Sequence, residues 1–334
     1  MEKNMKIMKH LHRCIAALVA GSLAQGLAAA APAAAFHPTR PVTLVVPYGA
    51  GGGTDVVGRL FAQKLGAMWR QPVVVENRAG ANGAIGAAYV AKAAPDGTTL
   101  LLSVASIAIN PYMMAKQLPY DTRTAFTPIT TLAFPVVVMV ASTKVQASDV
   151  QGFIAEARKN PDKFTFGSAE TSTRMYGERL KDSEHFSMRH IPYKGSPQWM
   201  SDLISGQVDT GYASITSALP FLNEGKVKIL GVASTHRSAL VPQVPTFLEQ
   251  GVKNLESHSW YGLFGPGKMP PDTVQAIYHD VKAVLADAEV QDKLRFLGAD
   301  PGGETPARFS QRFQADMNEY EDLIKRLHLS EDAP

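Results

Sequence analysis

Apolar positions along this chain fall into short dense runs separated by amphipathic stretches. Residues 42–46 (VTLVV) have the character of a parallel strand covered on both faces, and Pro47 ends the run. Comparable runs at 73–75, 98–102, 135–140, 164–167, 208–212 and 228–233 predict further strands. Between them the spacing becomes helical. After Thr54 and Asp55, a capping pair, Val56, Val57, Leu60, Phe61, Leu65 and Met68 form one helical stripe. A second helix spans 272–286. A third spans 305–327, opened by Thr305 and Pro306, with Phe309, Phe313, Met317, Tyr320, Ile324 and Leu327 on one face. Strands alternating with helices predict an α/β fold whose parallel sheets carry helices on both sides.

Gly49, Gly51, Gly52 and Gly53 follow the first strand, where missing side chains let the backbone bend sharply and let a ligand approach its amides. A small anion fits at the start of the helix beyond. Strand, glycine loop and helix also open nucleotide sites, but the details differ here. A phosphate loop needs Lys and then Ser or Thr after its last glycine, whereas Gly53 leads to Thr54 and Asp55. Thr54 also occupies the third glycine position of a dinucleotide fingerprint. FGSAE around Ser168 is not the elbow of a serine hydrolase. The nine histidines lack metal-ligand spacing. None of these patterns predicts a catalytic, cofactor or metal site, which leaves a glycine loop suited to holding a small anion.

The amino terminus has the pattern of a secretory signal. Lys3, Lys6, Lys9 and Arg13 precede an alanine- and leucine-rich segment, and Ala33 to Ala35 offer an A-x-A cleavage site before Phe36. Gln25, Gly26 and Pro32 interrupt the apolar run, which argues against a membrane span. Cleavage after Ala35 removes the single cysteine, Cys14, and with it any disulfide or thiolate chemistry. It also removes four basic residues and Glu2, taking the formal charge from +3 to zero, so no nucleic-acid partner is indicated. The remaining length suits two domains of roughly 150 residues each.

The segments RPVTLVVPYGAGGGTD, QPVVVENRAGANGAIGA, APDGTTLLL, LPYDTRTAFTPIT, IPYKGSPQWMSDLISGQVD, SALPFLNEGKVKILGVAS, VPTFLEQG and WYGLFGP resemble, in order, those of tripartite tricarboxylate transporter solute receptors, the Bordetella uptake gene (Bug) family. The resemblance implies a two-lobed periplasmic-binding-protein fold of type II-like form, with two Rossmann-like domains joined by a two-crossover hinge. Crossings near Val138 and His258 would make domain I 36–137 plus 259–334, and domain II 138–258. It also implies a periplasmic monomer that closes on a mono- or dicarboxylate and delivers it to the membrane permease subunits of a tripartite tricarboxylate transporter. The same cleft would serve a sensing subunit for a membrane histidine kinase.

The ligand would lie between the lobes, beside the carboxyl ends of the strands. Domain I would contribute Tyr48, Gly51, Gly52, Gly53 and Thr54 through backbone amides, with hydroxyls from Ser103 and Ser106. Domain II would contribute Ser168, Ala169, Ser172, Thr173 and Arg174, then the turn Tyr193, Lys194, Gly195. Blander roles stand beside these: Asp55 as a helix-start residue, Tyr193 packed in the hinge, Lys194 solvated, Asn77 and Arg78 bracing the second glycine loop. Two departures bear on specificity. Arg174 stands where many relatives have histidine, and Ala213 where they often have aspartate. Both changes make the cleft more positive, favouring an anion without a free amino group, unless Arg174 pairs with Glu170 or Glu178 on its own helix.

Overall fold

A computed structural model describes residues 36–193, 196–253, 255–256 and 259–330. The expected signal segment, Lys194, Gly195 and the crossing near His258 lie outside the described residues. The chain begins with β1 (Val42–Val46), α1 (Gly53–Trp69), β2 (Val73–Asn77), α2 (Ala84–Ala91), β3 (Thr99–Ser103), α3 (Ser106–Met113), α4 (Thr122–Ala125) and β4 (Phe126–Pro135). Then come β5 (Val137–Ser142), α5 (Val150–Lys159), β6 (Thr165–Ser168), α6 (Thr171–Glu184), β7 (Arg189–Pro192), α7 (Ser196–Ser205), β8 (Thr210–Ser214), α8 (Ile215–Asn223) and β9 (Val227–Ala233). It closes with β10 (Tyr261–Pro266), α9 (Pro271–Leu285), α10 (Ala288–Phe296), β11 (Ala299–Pro301) and α11 (Pro306–Arg326).

Two sheets organise these elements. One has six strands in the order β11-β4-β10-β3-β1-β2, the other five in the order β7-β6-β8-β5-β9. The chain passes from the first sheet to the second between β4 and β5, with Val136 alone between them, and returns between β9 and β10. Val136 is fixed from both sides: its N–H donates to Gly298 and its carbonyl accepts from Ile215.

Parallel sheets are expected from the alternation, but both sheets are mixed. β1 is parallel to β2 and β3, whereas β10 runs antiparallel to β3 and β4, and β5 antiparallel to β8 and β9. β5 and β10 are the first strands after each crossing, where no helical crossover restores direction, and β11 is likewise antiparallel to β4. The apolar run at 135–140 continues across Val136, so it reads as one strand where two meet.

Alternation along each strand fills both faces. Val42, Leu44 and Val46 enter one core of the first sheet with Leu100 and Leu102, while Val45 and Leu101 enter the core on its other face. In the second sheet Val137, Met139 and Ala141 face one cluster, and Val138 and Val140 the opposite one. Each such fully buried aliphatic contributes about 1.5–3 kcal/mol. Helix α1 buries Val57, Leu60, Phe61, Leu65 and Trp69, but leaves Val56 and Met68 exposed at 36% and 43%. Val56 lies outside the buried arc, and Met68 sits in the last turn of the helix, which corrects the expected stripe. Helix α11 follows expectation: the Thr305 hydroxyl caps Arg308 N–H, Pro306 opens the helix, and Phe309, Phe313, Met317, Tyr320 and Ile324 are buried.

Helix α6 ties the lobes together. Thr171 donates to Asn110 of α3 at 3.3 Å, Met175 sits in a core of the first lobe, and Arg179 pairs with Glu319 of α11 at 2.6 Å. Arg326 of α11 pairs with Asp182 at 2.7 Å. Among the described residues no helix is long and apolar enough to cross a membrane.

Candidate functional site

The glycine loop after β1 is held from beneath by Asp55, which is 2% exposed. Its Oδ2 accepts from Gly51 N–H at 2.9 Å and Arg59 Nε at 2.9 Å, and its Oδ1 accepts from Asn77 Nδ2 at 2.9 Å. Burial acts to raise the Asp55 carboxyl, but Arg59, Gly51 and Asn77 together hold it below the usual range. Asn77 also donates to the Tyr48 carbonyl at 3.1 Å, so it braces the first glycine loop, not the second. Arg78 pairs with Glu76 at 2.6 Å and lies over the Tyr89 ring.

Asp55 therefore does not cap α1 in the expected way. The N-cap is Gly52, with no side-chain cap. The Gly51 amide, one of the expected ligand donors, is committed to Asp55, and Gly51 itself adopts φ +82°, a conformation that favours glycine. Of the expected backbone donors, Gly52, Gly53 and Thr54 are the ones that Asp55 does not engage. Gly53 is the tight position: a Cβ there would lie 2.6 Å from the Tyr261 hydroxyl.

Around this loop lie hydroxyls without partners. The Tyr48 hydroxyl is buried with no hydrogen-bond partner among the described residues, and so is the hydroxyl of Ser106, a residue with no exposed surface at the start of α3. Ser103, 2% exposed, ends β3 beside them. Ser103 and Ser106 lie near enough to Tyr48 to favour its phenolate, yet neither meets hydrogen-bond geometry with it. Burial, and then the charge of Glu170 from the other lobe, push the Tyr48 phenol well above its ordinary value. The same two causes raise Tyr261.

Glu170 is the residue that sequence reasoning passed over. It precedes α6 and reaches the electrostatic neighbourhood of both Tyr48 and Tyr261. Its carboxylate accepts only from the Ser172 hydroxyl at 3.3 Å, and no Lys or Arg pairs with it among the described residues. Burial raises its carboxyl above the ordinary range, with Ser172 opposing. An acid immediately before a helix and after a buried strand is the one signal that pointed to it. Tyr261, in WYGLFGP, carried no chemical signal beyond being a tyrosine at the start of a glycine-rich strand.

Other expected residues are committed within the second lobe. Ser168 Oγ lies 2.7 Å from His190 Nε2, Thr173 donates to the Glu170 carbonyl at 3.0 Å, and the Tyr193 hydroxyl donates to Asp202 at 2.8 Å. Burial and Asp202 raise Tyr193 to about 12. Arg174 donates from Nε to Glu178 at 3.2 Å along its own helix. Ala169 packs partly against the second-lobe core, and Ala213, 6% exposed, lies inside it.

His190 makes this lobe acid-sensitive. Burial first, then Arg174 and Lys181, hold its imidazole down to about 3. A folded value below the unfolded one of about 6.5 means that the neutral ring contributes stability above pH ~6.5, lost progressively as pH falls toward 3. His190→Gln should flatten the melting temperature against pH across that window. Equal slopes in the two proteins would remove His190 as the cause.

Two α/β lobes joined by two crossings define the fold class of periplasmic binding proteins. A family model described as the tripartite tricarboxylate transporter family receptor matches residues 57–329, and the chain belongs to that family. BugT of Bordetella pertussis is 30% identical over 282 residues, covering 83% of this chain and 86% of BugT. Two solved structures are likewise 30% identical. Rpa4515 of R. palustris with adipate has a TM-score of 0.80 over 88% of this chain and 99% of its own. MatC of Rhodopseudomonas palustris with bound malate has a TM-score of 0.76 over 86% and 99%.

Proposed function

We propose that this chain is an exported solute receptor that closes on a small organic carboxylate, mono- or dicarboxylate, and presents it to the permease subunits of a tripartite tricarboxylate transporter. The observation that carries the reading is the pair of unpartnered buried hydroxyls, Tyr48 at the start of the glycine loop and Ser106 at the start of α3, with Gly52 and Gly53 opening α1 from the same loop. Such donors leave an acceptor to be supplied from outside, because an unmade buried hydrogen bond costs about 1–3 kcal/mol. Helix α1 adds its positive end to that demand. Adipate and malate in the two related structures are acceptors of this kind.

Residues 36–137 with 259–334 form one moving body and 138–258 the other, swinging about the two inter-sheet crossings. Ser103 and Thr54 complete the first wall, and Ser172, Thr173, Arg174 and Tyr193 the second. Export follows cleavage after Ala35, and the mature protein works as a monomer. A thermal-shift screen of the mature protein against mono- and dicarboxylates tests the function. A ligand at about 100 times its Kd adds ~2.7 kcal/mol and raises Tm by several degrees. If no carboxylate raises Tm while amines or sugars do, the ligand class is wrong.

A further inference from the structure

The first described residue is buried in the core. Phe36 is 9% exposed and packs edge-on against Trp69, ring centroids 5.1 Å apart at 78°. Its ring also covers Gly97, where a Cβ would lie 2.8 Å from it. The Phe36 backbone N–H donates to Asp280 Oδ2 at 3.1 Å, and Trp69 Nε1 donates to the same oxygen at 2.7 Å. Asp280 is 7% exposed on α9, and among the described residues no lysine, arginine or histidine pairs with it.

A buried carboxylate is stabilised when a cation pairs with it as well as hydrogen bonds, and two neutral donors on one oxygen supply no charge. The sequence places the A-x-A motif at residues 33–35, immediately before Phe36. Hydrolysis of the Ala35–Phe36 bond adds water, leaving a carboxylate on Ala35 and an amine on Phe36 that takes a proton at neutral pH. That α-ammonium arises at the atom already 3.1 Å from Asp280. From this geometry we infer that removal of residues 1–35 creates an ion pair between the new α-ammonium of Phe36 and Asp280, and that the first lobe gains its full stability only through that cut. The inference rests on the export reading above but not on any ligand.

The pair turns a processing site into a structural one. A cut one residue earlier displaces the charge by about 3.8 Å along the chain, out of reach of the same oxygen. The uncleaved chain keeps the peptide N–H bond but leaves Asp280 without a counter-charge.

Two measurements test this. Intact mass of the protein exported by its native signal gives the natural terminus. Proteins made with defined termini, starting at Phe36 or at Ala35, and each again with Asp280→Asn, give the coupling. The Phe36 form is expected to melt about 5 °C above the Ala35 form at pH 7, with the gap closing in the Asp280→Asn background. The ordinary α-amino pKa is about 7.7–8.0, and pairing raises it in the folded protein. The gap is therefore complete below that range and shrinks as pH rises through the raised value.

Should Asp280→Asn fail to fold, the rate of Phe36 acylation by acetic anhydride against pH reports the same amine, expected to stay unreactive at pH 8 until the protein is unfolded. An exported protein beginning anywhere but Phe36 overturns the inference while leaving the receptor reading intact. Equal Tm for the two termini, or an amine that reacts like a free one, overturns the ion pair even where the cut is confirmed.

Discussion

Gly53→Val is expected to weaken carboxylate binding by about thirty-fold or more, a loss of ~2 kcal/mol. The position lies at the first turn of α1, exposed, where the only atoms within 4 Å of a new Cβ belong to the Tyr261 phenol, the nearest at 2.6 Å. A valine there fills the space between helix start and phenol, which is where the proposed ligand oxygen would meet the amides. Gly52 is a contrasting position. Its φ is −73° and its Cβ would meet only the Gly49 carbonyl at 3.5 Å, so Gly52→Ala should fold normally and serve as the matched control. Calorimetry with the tightest binder from the carboxylate screen checks both. Undiminished affinity in a folded Gly53→Val protein would place the ligand away from this loop.

The second large effect concerns charge. Glu170→Gln should tighten binding of a dicarboxylate by about tenfold, ~1.4 kcal/mol, because an ionised Glu170 repels an anion held near Tyr48 and Tyr261. Wild-type affinity should also depend on pH. Anion binding favours neutral Glu170, so affinity is greatest below its raised pKa and falls as pH climbs through it, whereas Glu170→Gln should lack that slope. Arg174, engaged with Glu178, and Lys181, bonded to Glu178 at 2.8 Å, are present in both proteins and cancel in the comparison. Weaker binding by Glu170→Gln would mean that the ligand presents a cation to Glu170. The charge reading from Arg174 and Ala213 would then be reversed.

Much of the frame was legible because period and burial coincide. Val42 to Val46 and Leu100 to Leu102 lie inside the sheet with both faces covered, so an uninterrupted apolar run marked them. Thr305, Pro306 and the Phe309 stripe marked α11 for the same reason. Strands β7, β10 and β11 gave no such mark: RHIP is largely exposed, and YGLFGP and ADP mix glycine, proline and charge, so pairing with neighbours makes them strands. Strand β4, with Pro128 and a run of threonines, was hidden likewise.

The candidate site was legible on the glycine-loop side, where glycines mark backbone left uncovered by side chains. The opposite side was not, because Glu170 matters through its distance from phenols more than a hundred residues earlier and almost a hundred later in the chain. No local pattern encodes that distance.

The Asp55 clamp bears on how fast the receptor loads. With Gly51, Arg59 and Asn77 all fastened to one buried carboxylate, the loop is held in this shape by its own hydrogen bonds. An incoming molecule then meets a rigid floor and loses no free energy to loop ordering, which for a floppy loop amounts to about 1–2 kcal/mol per residue fixed. Capture should be limited by encounter, and residence time by how readily the two lobes part. Variation in affinity among solutes would then appear in the rate of leaving, not of arrival.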